Sequence, residues 1–432
     1  NEQLTEDMIR ILSTFDDRFS NMTGFKIENH ESSISLALKK MEETVGKAEE
    51  IIVRWENNVL QNGMMIWDVL SDPQEADAYV KIVDELYSLM RNPWANKELM
   101  ARAQHVLEIA APRLKEEFRC MLVMNSESVD ADWLMYYTHR GNQEEKRFGI
   151  VDSSSDDDEN EDDDDDDDDI PVAHPVSEFN ASFDPVPPER VKDLNTILQC
   201  MARIGVVQQC SKVYVNVRKT ILEQSLYRLG LERPNPELVQ RMSWEVLEVK
   251  IRKWIQALKV GVKVIFAAEK RLCDMVFSGL SGDGEASFEE LASGSFMQFL
   301  LFGKAVAMTR RTPEKLFRVL DMYEVLKELL PDISTFFRSE GVRSEIKEVL
   351  GNLGEAARGI LHEFEIAIQK DAAKTPVPGG AFHPLTRYVM NYIKFLVEYT
   401  ASLDQLLRGR RREVPRSLGV ETFGLSEGLV EN

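Results

Sequence analysis

The sequence predicts an all-α fold, arranged as an elongated rod of consecutive antiparallel helical bundles with one disordered acidic loop. Apolar residues recur at three- and four-residue spacing along most of the 432 residues. Short clusters rich in Gly, Pro, Ser and Asn separate these periodic segments. Alternating runs of β-branched residues, which are typical of strands, are few. No fixed repeat length links the helices, which favours successive bundles or an irregular solenoid.

Residues 1–150 form the first predicted block, an N-terminal helical region. Between Ile34 and Leu60 the apolar side chains keep helical spacing, and Asn62-Gly63 then marks the end of the helix. Because the first residue is Asn instead of Met, we expect the sequence to begin inside a longer product or after processing. Further helices are predicted at 73–91, 95–124 and 131–138.

Residues 151–188 predict an acidic, Pro-rich disordered linker. Residues 152–169 carry 14 acidic side chains, and neighbouring charges lie well inside the Debye length of about 8–10 Å, so their repulsion opposes collapse. This run accounts for most of the formal net charge of −22 and leaves −8 for the rest of the chain. A chain without a basic footprint gives no support to nucleic-acid binding.

Residues 189–407 form the second predicted block of helical bundles. Pro236, Pro313 and Pro384 stand where helices are expected to begin, at positions whose missing N–H group is not needed. The longest apolar stretches are far shorter than the roughly 20 residues that span a bilayer, so any membrane contact is expected to be peripheral. The helices of this block are predicted at 191–229, 237–277, 288–310, 313–338, 340–372 and 383–408.

No catalytic or metal-binding pattern stands out, and we expect neither enzyme activity nor a cofactor. The histidines are scattered singly, and the four cysteines form no CxxC pair, which fits a reducing compartment. His383 raises a catalytic interpretation, but the adjoining Pro384 and the periodic residues after it favour a helix start. The stretch GDGEASFEE, which begins at Gly282, lacks the Gly and Glu of a calcium loop, so a polar loop between helices is the better interpretation.

The helix predicted at 244–276 has two distinct sides. Four basic residues, Arg252, Lys259, Lys263 and Lys270, fall within an arc of about 40°. One interpretation of this basic ridge is a solvated surface behind a core-facing stripe. The other is a contact for acidic partners or anionic lipid headgroups. The apolar side occupies an arc of about 80° and consists of Leu247, Ile251, Trp254, Leu258, Val262, Ile265, Leu272 and Val276.

Several long segments together resemble the plant form of the seventy-kilodalton subunit of the exocyst. They are CSKVYVNVRKTILEQSLYRLGLE at 210–232, FGKAVAM at 302–308, PEKLFRVLDMYEVLKELLPDI at 313–333 and GGAFHPLTRYVMNYIKFL at 379–396. LTEDMIRILSTFDDRFSNM, near the start of the chain, is similar to the same family's N-terminal region. The resemblance extends from Leu4 to about Leu407, with the acidic linker as a variable insert.

The resemblance implies a rod of antiparallel helical bundles and a noncatalytic subunit that tethers secretory vesicles to the plasma membrane in exocytosis. It implies a cytoplasmic protein that is peripheral at the plasma membrane. Other exocyst subunits and membranes containing phosphatidylinositol bisphosphate are the implied partners, and small GTPases and pathogen effectors are further candidates. The alternatives are a helical interaction adaptor or decoy in plant immunity, and a truncated nonfunctional isoform.

Residues 408–432 depart from the family pattern. They are rich in Gly and Pro and show no helical spacing, so we predict a divergent tail and expect the family's C-terminal bundle, with its usual lipid site, to be missing. Membrane attachment would then be weakened. Arg410, Arg411 and Arg412 offer a substitute contact for anionic lipids, although short basic tails are often only solvated.

Overall fold

The computed structural model describes most of the two predicted helical blocks and divides into two compact units. Within the described residues every regular element is a helix, so the all-α prediction is confirmed there. The helix predicted at 131–138, the acidic run and His383 lie outside those residues. The described ranges are 30–62, 65–67, 73–93, 95–126, 184–231, 233, 235–370 and 384–413.

The first unit takes in the described parts of Asn1–Glu127, Asp184–Lys219 and Arg271–Phe288. Its apolar helix faces meet in a buried core that includes Val83, Leu114 and Leu194. Four helices build most of it: α1 (His30–Asn62), α2 (Pro73–Met90), α3 (Lys97–Met124) and α4 (Pro188–Arg203).

Ion pairs show that α1 and α3 run parallel to each other and opposite to α2. Glu49 of α1 contacts Arg102 of α3 at 2.7 Å, and the chain after α1 contacts α3 further along, where the Ile66 N–H donates to Glu117 at 2.9 Å. Arg54, near the end of α1, lies 3.7 Å from Glu75, near the start of α2.

Helix α4 runs parallel to α2 and completes an antiparallel four-helix bundle. Near its start, Arg190 donates to the Trp67 carbonyl, which precedes α2, at 3.1 Å. Near its end, Arg203 pairs with Asp84 of α2 at 2.6 Å. Helices that follow one another in the chain therefore alternate in direction within this bundle, as the sequence predicts.

The later helices are shorter than predicted in several places. They are α5 (Val207–Arg228), α6 (Pro236–Arg241), α7 (Trp244–Val260), a π-helical turn (Gly261–Phe266), α8 (Ala267–Val276), α9 (Asp283–Ala307), a 3-10 turn (Pro313–Lys315), α10 (Leu316–Glu328), α11 (Leu330–Phe336), α12 (Glu340–Lys370), α13 (Pro384–Leu396), a second 3-10 turn (Val397–Tyr399) and α14 (Thr400–Glu413).

The single helix predicted at 191–229 is wrong, because α4 ends before α5 begins. Gly205 adopts a φ of +81°, in the left-handed region that glycine enters without a steric penalty. The N–H of Gly205 bonds to the Ala202 carbonyl at 3.0 Å, and the N–H of Val206 bonds to the Met201 carbonyl at 2.9 Å. This pattern is a Schellman motif, which terminates a helix.

The polar loop predicted for GDGEASFEE is also wrong from Asp283 onward, since α9 begins there. Gly282 has a φ of +83° and ends the preceding turn. Asp283 and Glu285 then lie in the first turn of α9, where acidic side chains interact favourably with the positive end of the helix dipole. The same acidic residues that suggest a loop therefore favour a helix start.

The second unit includes Thr220–Lys270 and the described part of Glu289–Asn432. Its helices pack around aromatic side chains, among which the rings of Phe296 and Phe337 lie 4.9 Å apart. Helix α13 begins at Pro384, as predicted. Helix α14 ends at Glu413, so helical backbone continues beyond Leu407.

Candidate interaction surface

The apolar side of α7 and the following turns faces a core, as its spacing predicts. All eight residues of the predicted stripe are buried. Trp254 illustrates the packing: its indole Nε1 donates to the Phe299 carbonyl at 3.1 Å, and its ring stacks on Phe302 with centroids 6.1 Å apart. A buried indole with its polar N–H satisfied contributes area without leaving an unpaired donor.

A π-helical turn that begins at Gly261 interrupts the helical segment carrying the stripe, and an added Cβ there would make ordinary van der Waals contacts. A Cβ atom built at Gly261 would lie 3.4 Å from the Phe299 ring and 3.5 Å from Leu226. The turn carries one extra residue relative to an α-helical turn, which shifts the phase of the residues that follow. The only sequence signal for it is one glycine in an otherwise uninterrupted helical run.

The basic ridge lies next to α10, and Arg252 and Lys263 of this ridge contact carboxylates. Arg252 contacts Glu248, one turn earlier, at 2.7 Å. Lys263 contacts Glu328 of α10 at 3.0 Å. Lys259 and Lys270 are half-buried. The ridge is therefore a partly neutralised surface.

Glu248 is the centre of this charged arrangement. It accepts from Arg252 and also from Arg318 of α10, whose guanidinium lies 3.1 Å away, while Arg318 in turn pairs with Asp321 at 3.0 Å. Partial burial alone would raise the pKa of Glu248, but the two arginines outweigh that effect and lower it. These pairs connect α7 to α10, and sequence periodicity on α7 alone cannot reveal them.

The second predicted basic site is only partly described. Arg410, Arg411 and Arg412 belong to the backbone of α14, but their side chains lie outside the described part of the structure. The structure therefore brings the ridge residues together on one helical segment and leaves the contribution of the three arginines as a prediction.

The described residues contain neither a metal-binding cluster nor a membrane span. Among them, no group of three or more His, Cys, Asp or Glu side chains is placed to hold a metal ion. No helix in those ranges is both long and apolar enough to cross a membrane.

Comparison with known proteins gives two family matches, which concern the two ends of the Exo70 exocyst protein. The C-terminal family, that of the Exo70 exocyst complex subunit, matches residues 252–428. The family described as exocyst complex component Exo70 N-terminal matches residues 38–124. The N-terminal match lies in the first predicted helical block, and the C-terminal match begins in the second block and extends into the predicted tail.

Individual relatives agree with these matches. Exocyst complex component EXO70B1 of Arabidopsis thaliana is 34% identical, over 94% of this chain and 64% of that protein. EXO70A1 of the same plant is 32% identical, over 100% of this chain and 67% of its own length. The chain thus spans about two thirds of the length of these relatives.

Solved structures show the same fold. The S. cerevisiae exocyst component Exo70p superposes with a TM-score of 0.52 at 12% identity, over 87% of this chain and 60% of that one. A second structure of S. cerevisiae Exo70 gives a TM-score of 0.53 at 11% identity, over 88% and 59%. At such low identity the likeness concerns the fold alone.

Proposed function

Because this chain belongs to the Exo70 family of exocyst subunits, we propose that it acts as a noncatalytic subunit of the exocyst and tethers secretory vesicles to the plasma membrane in exocytosis. The family resemblance inferred from the sequence is thereby confirmed. The observation that carries the proposed role is the likeness to two named exocyst components across nearly the whole chain.

The helical architecture supports a role in which surfaces do the work. Packed helices hold their exposed side chains in fixed positions, so a helical bundle can present several binding faces at once. Other exocyst subunits are the proposed partners, and the proposed location is cytoplasmic and peripheral at the plasma membrane. Phosphatidylinositol bisphosphate, small GTPases and pathogen effectors are further proposed partners.

Co-purification tests the tethering role. The tagged chain is expressed in plant cells, and its partners are quantified by mass spectrometry against an unrelated protein with the same tag. We expect the other exocyst subunits to be enriched. Enrichment of receptor-like proteins without exocyst subunits would instead support the adaptor or decoy alternative, and a folded chain that enriches neither would contradict tethering and support a nonfunctional isoform.

Liposome sedimentation tests the two predicted basic sites. Vesicles with and without phosphatidylinositol bisphosphate are compared for the parental chain, for Lys259→Ala with Lys270→Ala, and for a triple alanine variant of the tail arginines. The variants of the responsible site should lose most of the lipid-dependent sedimentation, because each basic residue near an anionic surface contributes about 1 kcal/mol. The matched control replaces two exposed lysines of α1, Lys39 and Lys40. Equal sedimentation of all four proteins would exclude both basic sites as contacts for the lipid.

A further inference from the structure

The second unit contains a pocket between the C-terminal half of α5, the turn that follows it and the middle of α9. Its volume is about 630 Å³, which lies within the range of pockets that bind ligands of drug size. The lining residues fall between Thr220 and Arg233 and at Ser295 and Gln298 of α9. All of them belong to the second unit, so the pocket is formed within that unit.

The turn after α5 gives the pocket its apolar wall. Gly230 adopts a φ of +84°. Its N–H bonds to the Tyr227 carbonyl at 2.9 Å, and the N–H of Leu231 bonds to the Leu226 carbonyl at 3.1 Å. This Schellman motif ends the helix and commonly brings two such apolar residues together. Leu226 and Leu231 are both buried and both line the pocket, and Arg233 follows them into the lining.

The charged side chains of the pocket are unevenly placed. Among the described lining residues, Arg228 and Arg233 are basic and Glu223 is acidic, so the lining is net basic whichever internal contacts these side chains make. Glu223 precedes Arg228 by five residues on α5, which is about 7.5 Å along the helix axis. Both arginines therefore belong to the end of the pocket at the turn, and both are exposed. An occupant gains from presenting an anionic group to that end.

Two further residues suit a peptide occupant. Tyr227 is 71% exposed, and Tyr and Arg are among the side chains that contribute most often to binding energy at protein interfaces. Ser295 is only 1% exposed, and its buried hydroxyl has no hydrogen-bond partner among the described residues. Buried polar groups are nearly always paired. An occupant with carbonyl or carboxylate oxygens offers an acceptor for this hydroxyl.

We propose that this pocket binds a segment of another protein that carries a large apolar side chain beside an acidic one. The apolar side chain packs against Leu226, Leu231 and the Tyr227 ring. The acidic side chain pairs with Arg228 and Arg233. A basic segment, or one without large apolar side chains, meets only part of the pocket, and this difference gives selectivity. The proposal goes beyond the exocyst role and does not rest on it.

Fluorescence anisotropy with four synthetic peptides tests the proposal on the full chain. All four peptides carry fluorescein and have the same length. In the first, Asp and Glu alternate with Phe and Leu. The second has Asn and Gln in place of the acidic residues, the third has Lys there, and the fourth keeps the acidic residues but has Ala in place of Phe and Leu. We expect the first peptide to bind about tenfold more tightly than each of the others, because only it complements both parts of the pocket.

Variants of the chain locate the binding. Arg228→Gln combined with Arg233→Gln should weaken binding of the first peptide about tenfold, the loss expected for two partly exposed ion pairs. The matched control, Arg241→Gln with Arg310→Gln, makes the same change of charge at two exposed arginines of the same unit that do not line the pocket. This control should bind like the parental chain. Gln224→Trp, at an exposed position of the lining, should weaken binding by filling the pocket while the helical circular dichroism stays unchanged.

Four results would overturn the proposal. The first is no binding of the acidic, apolar peptide at millimolar concentration, and the second is equal affinity of the pocket and control variants for it. Equal binding of the acidic peptide that carries Ala, with displacement by inorganic phosphate, would replace the proposal with a simple anion site. Equal binding of the neutral peptide would replace it with a groove that recognises apolar side chains alone.

Discussion

Replacing Glu117 with Ala should strongly destabilise the first unit. Glu117 and Arg113 form an ion pair on α3 with only 1% and 6% of their side chains exposed. Glu117 also accepts from the N–H of Ile66 at 2.9 Å and lies 3.5 Å from the N–H of Trp67. One carboxylate therefore neutralises a buried arginine and holds the connection between α1 and α2.

The expected loss follows from what the substitution leaves behind. Glu117→Ala leaves Arg113 as a buried charge without its partner, which costs about 3–5 kcal/mol. It also leaves the buried Ile66 N–H without an acceptor, and the cost of that, about 1–3 kcal/mol, overlaps the first figure and does not simply add to it. Arg113→Met combined with Glu117→Leu removes both charges, so the double variant should be more stable than Glu117→Ala.

Urea unfolding combined with hydrogen exchange provides the measurement. The free energy of unfolding reports the loss, and faster exchange in the peptide containing Ile66 and Trp67 locates it. Glu116→Ala is the matched control: Glu116 precedes Glu117 but pairs with Arg119 at the surface, so its loss should cost less than about 1 kcal/mol. Equal unfolding of Glu117→Ala and Glu116→Ala would refute the assigned role of Glu117, as would a double variant no more stable than Glu117→Ala.

Two further predictions concern titratable groups. The arginine neighbours of Glu248, including Arg252, lower its pKa in the folded state. The contribution of Glu248 to stability is therefore present above the unfolded-state pKa and is lost as the pH falls through the folded-state pKa. Glu248→Gln should flatten the acid side of a plot of unfolding midpoint against pH, and parallel curves for the two proteins would count against this. Burial raises the pKa of Cys200 and of Cys210 to about 12, whereas Cys120 is half-exposed. Iodoacetamide at about pH 8 should therefore modify Cys120 before the other two thiols, as measured by peptide mapping. Simultaneous modification of all three would contradict the assigned burial.

Helical periodicity predicts the buried side of a helix because burial depends on the angular position of each residue, whatever partner covers it. The stripe that contains Leu247, Ile251 and Leu258 is buried for that reason. Pro384 predicts the start of α13 equally well, since the missing N–H of proline costs nothing in a first turn. These predictions need no knowledge of neighbouring helices.

The features that sequence reasoning missed depend on tertiary contacts or on turn chemistry. Lys263, in the π-helical turn, contacts a carboxylate of α10 that lies 65 residues away in the chain. Residue spacing around Lys263 therefore gives no indication of the pair. Gly205 ends α4 by adopting a left-handed backbone conformation. A single glycine within a helical pattern does not indicate whether it adopts that conformation or the helical one. The sequence could have predicted that Glu117 is buried and the adjacent Glu116 is exposed, because Glu117 lies at helical spacing from the core residues Leu114 and Met121.

Glu117 and three exposed apolar residues near the C-terminal end of the described chain depart from the amphipathic pattern in opposite directions. Glu117 is a charged residue on a core-facing side, where it pairs with Arg113 and accepts from the Ile66 N–H in the connection between two helices. Met390, Ile393 and Val397 are large apolar residues whose side chains remain substantially exposed. In a family whose members assemble with other proteins, an apolar residue outside the core is the more informative departure, because only a covering segment or partner gives it a free-energy gain. In such a helical protein, the positions where periodicity and burial disagree are therefore the candidates for contacts with partners.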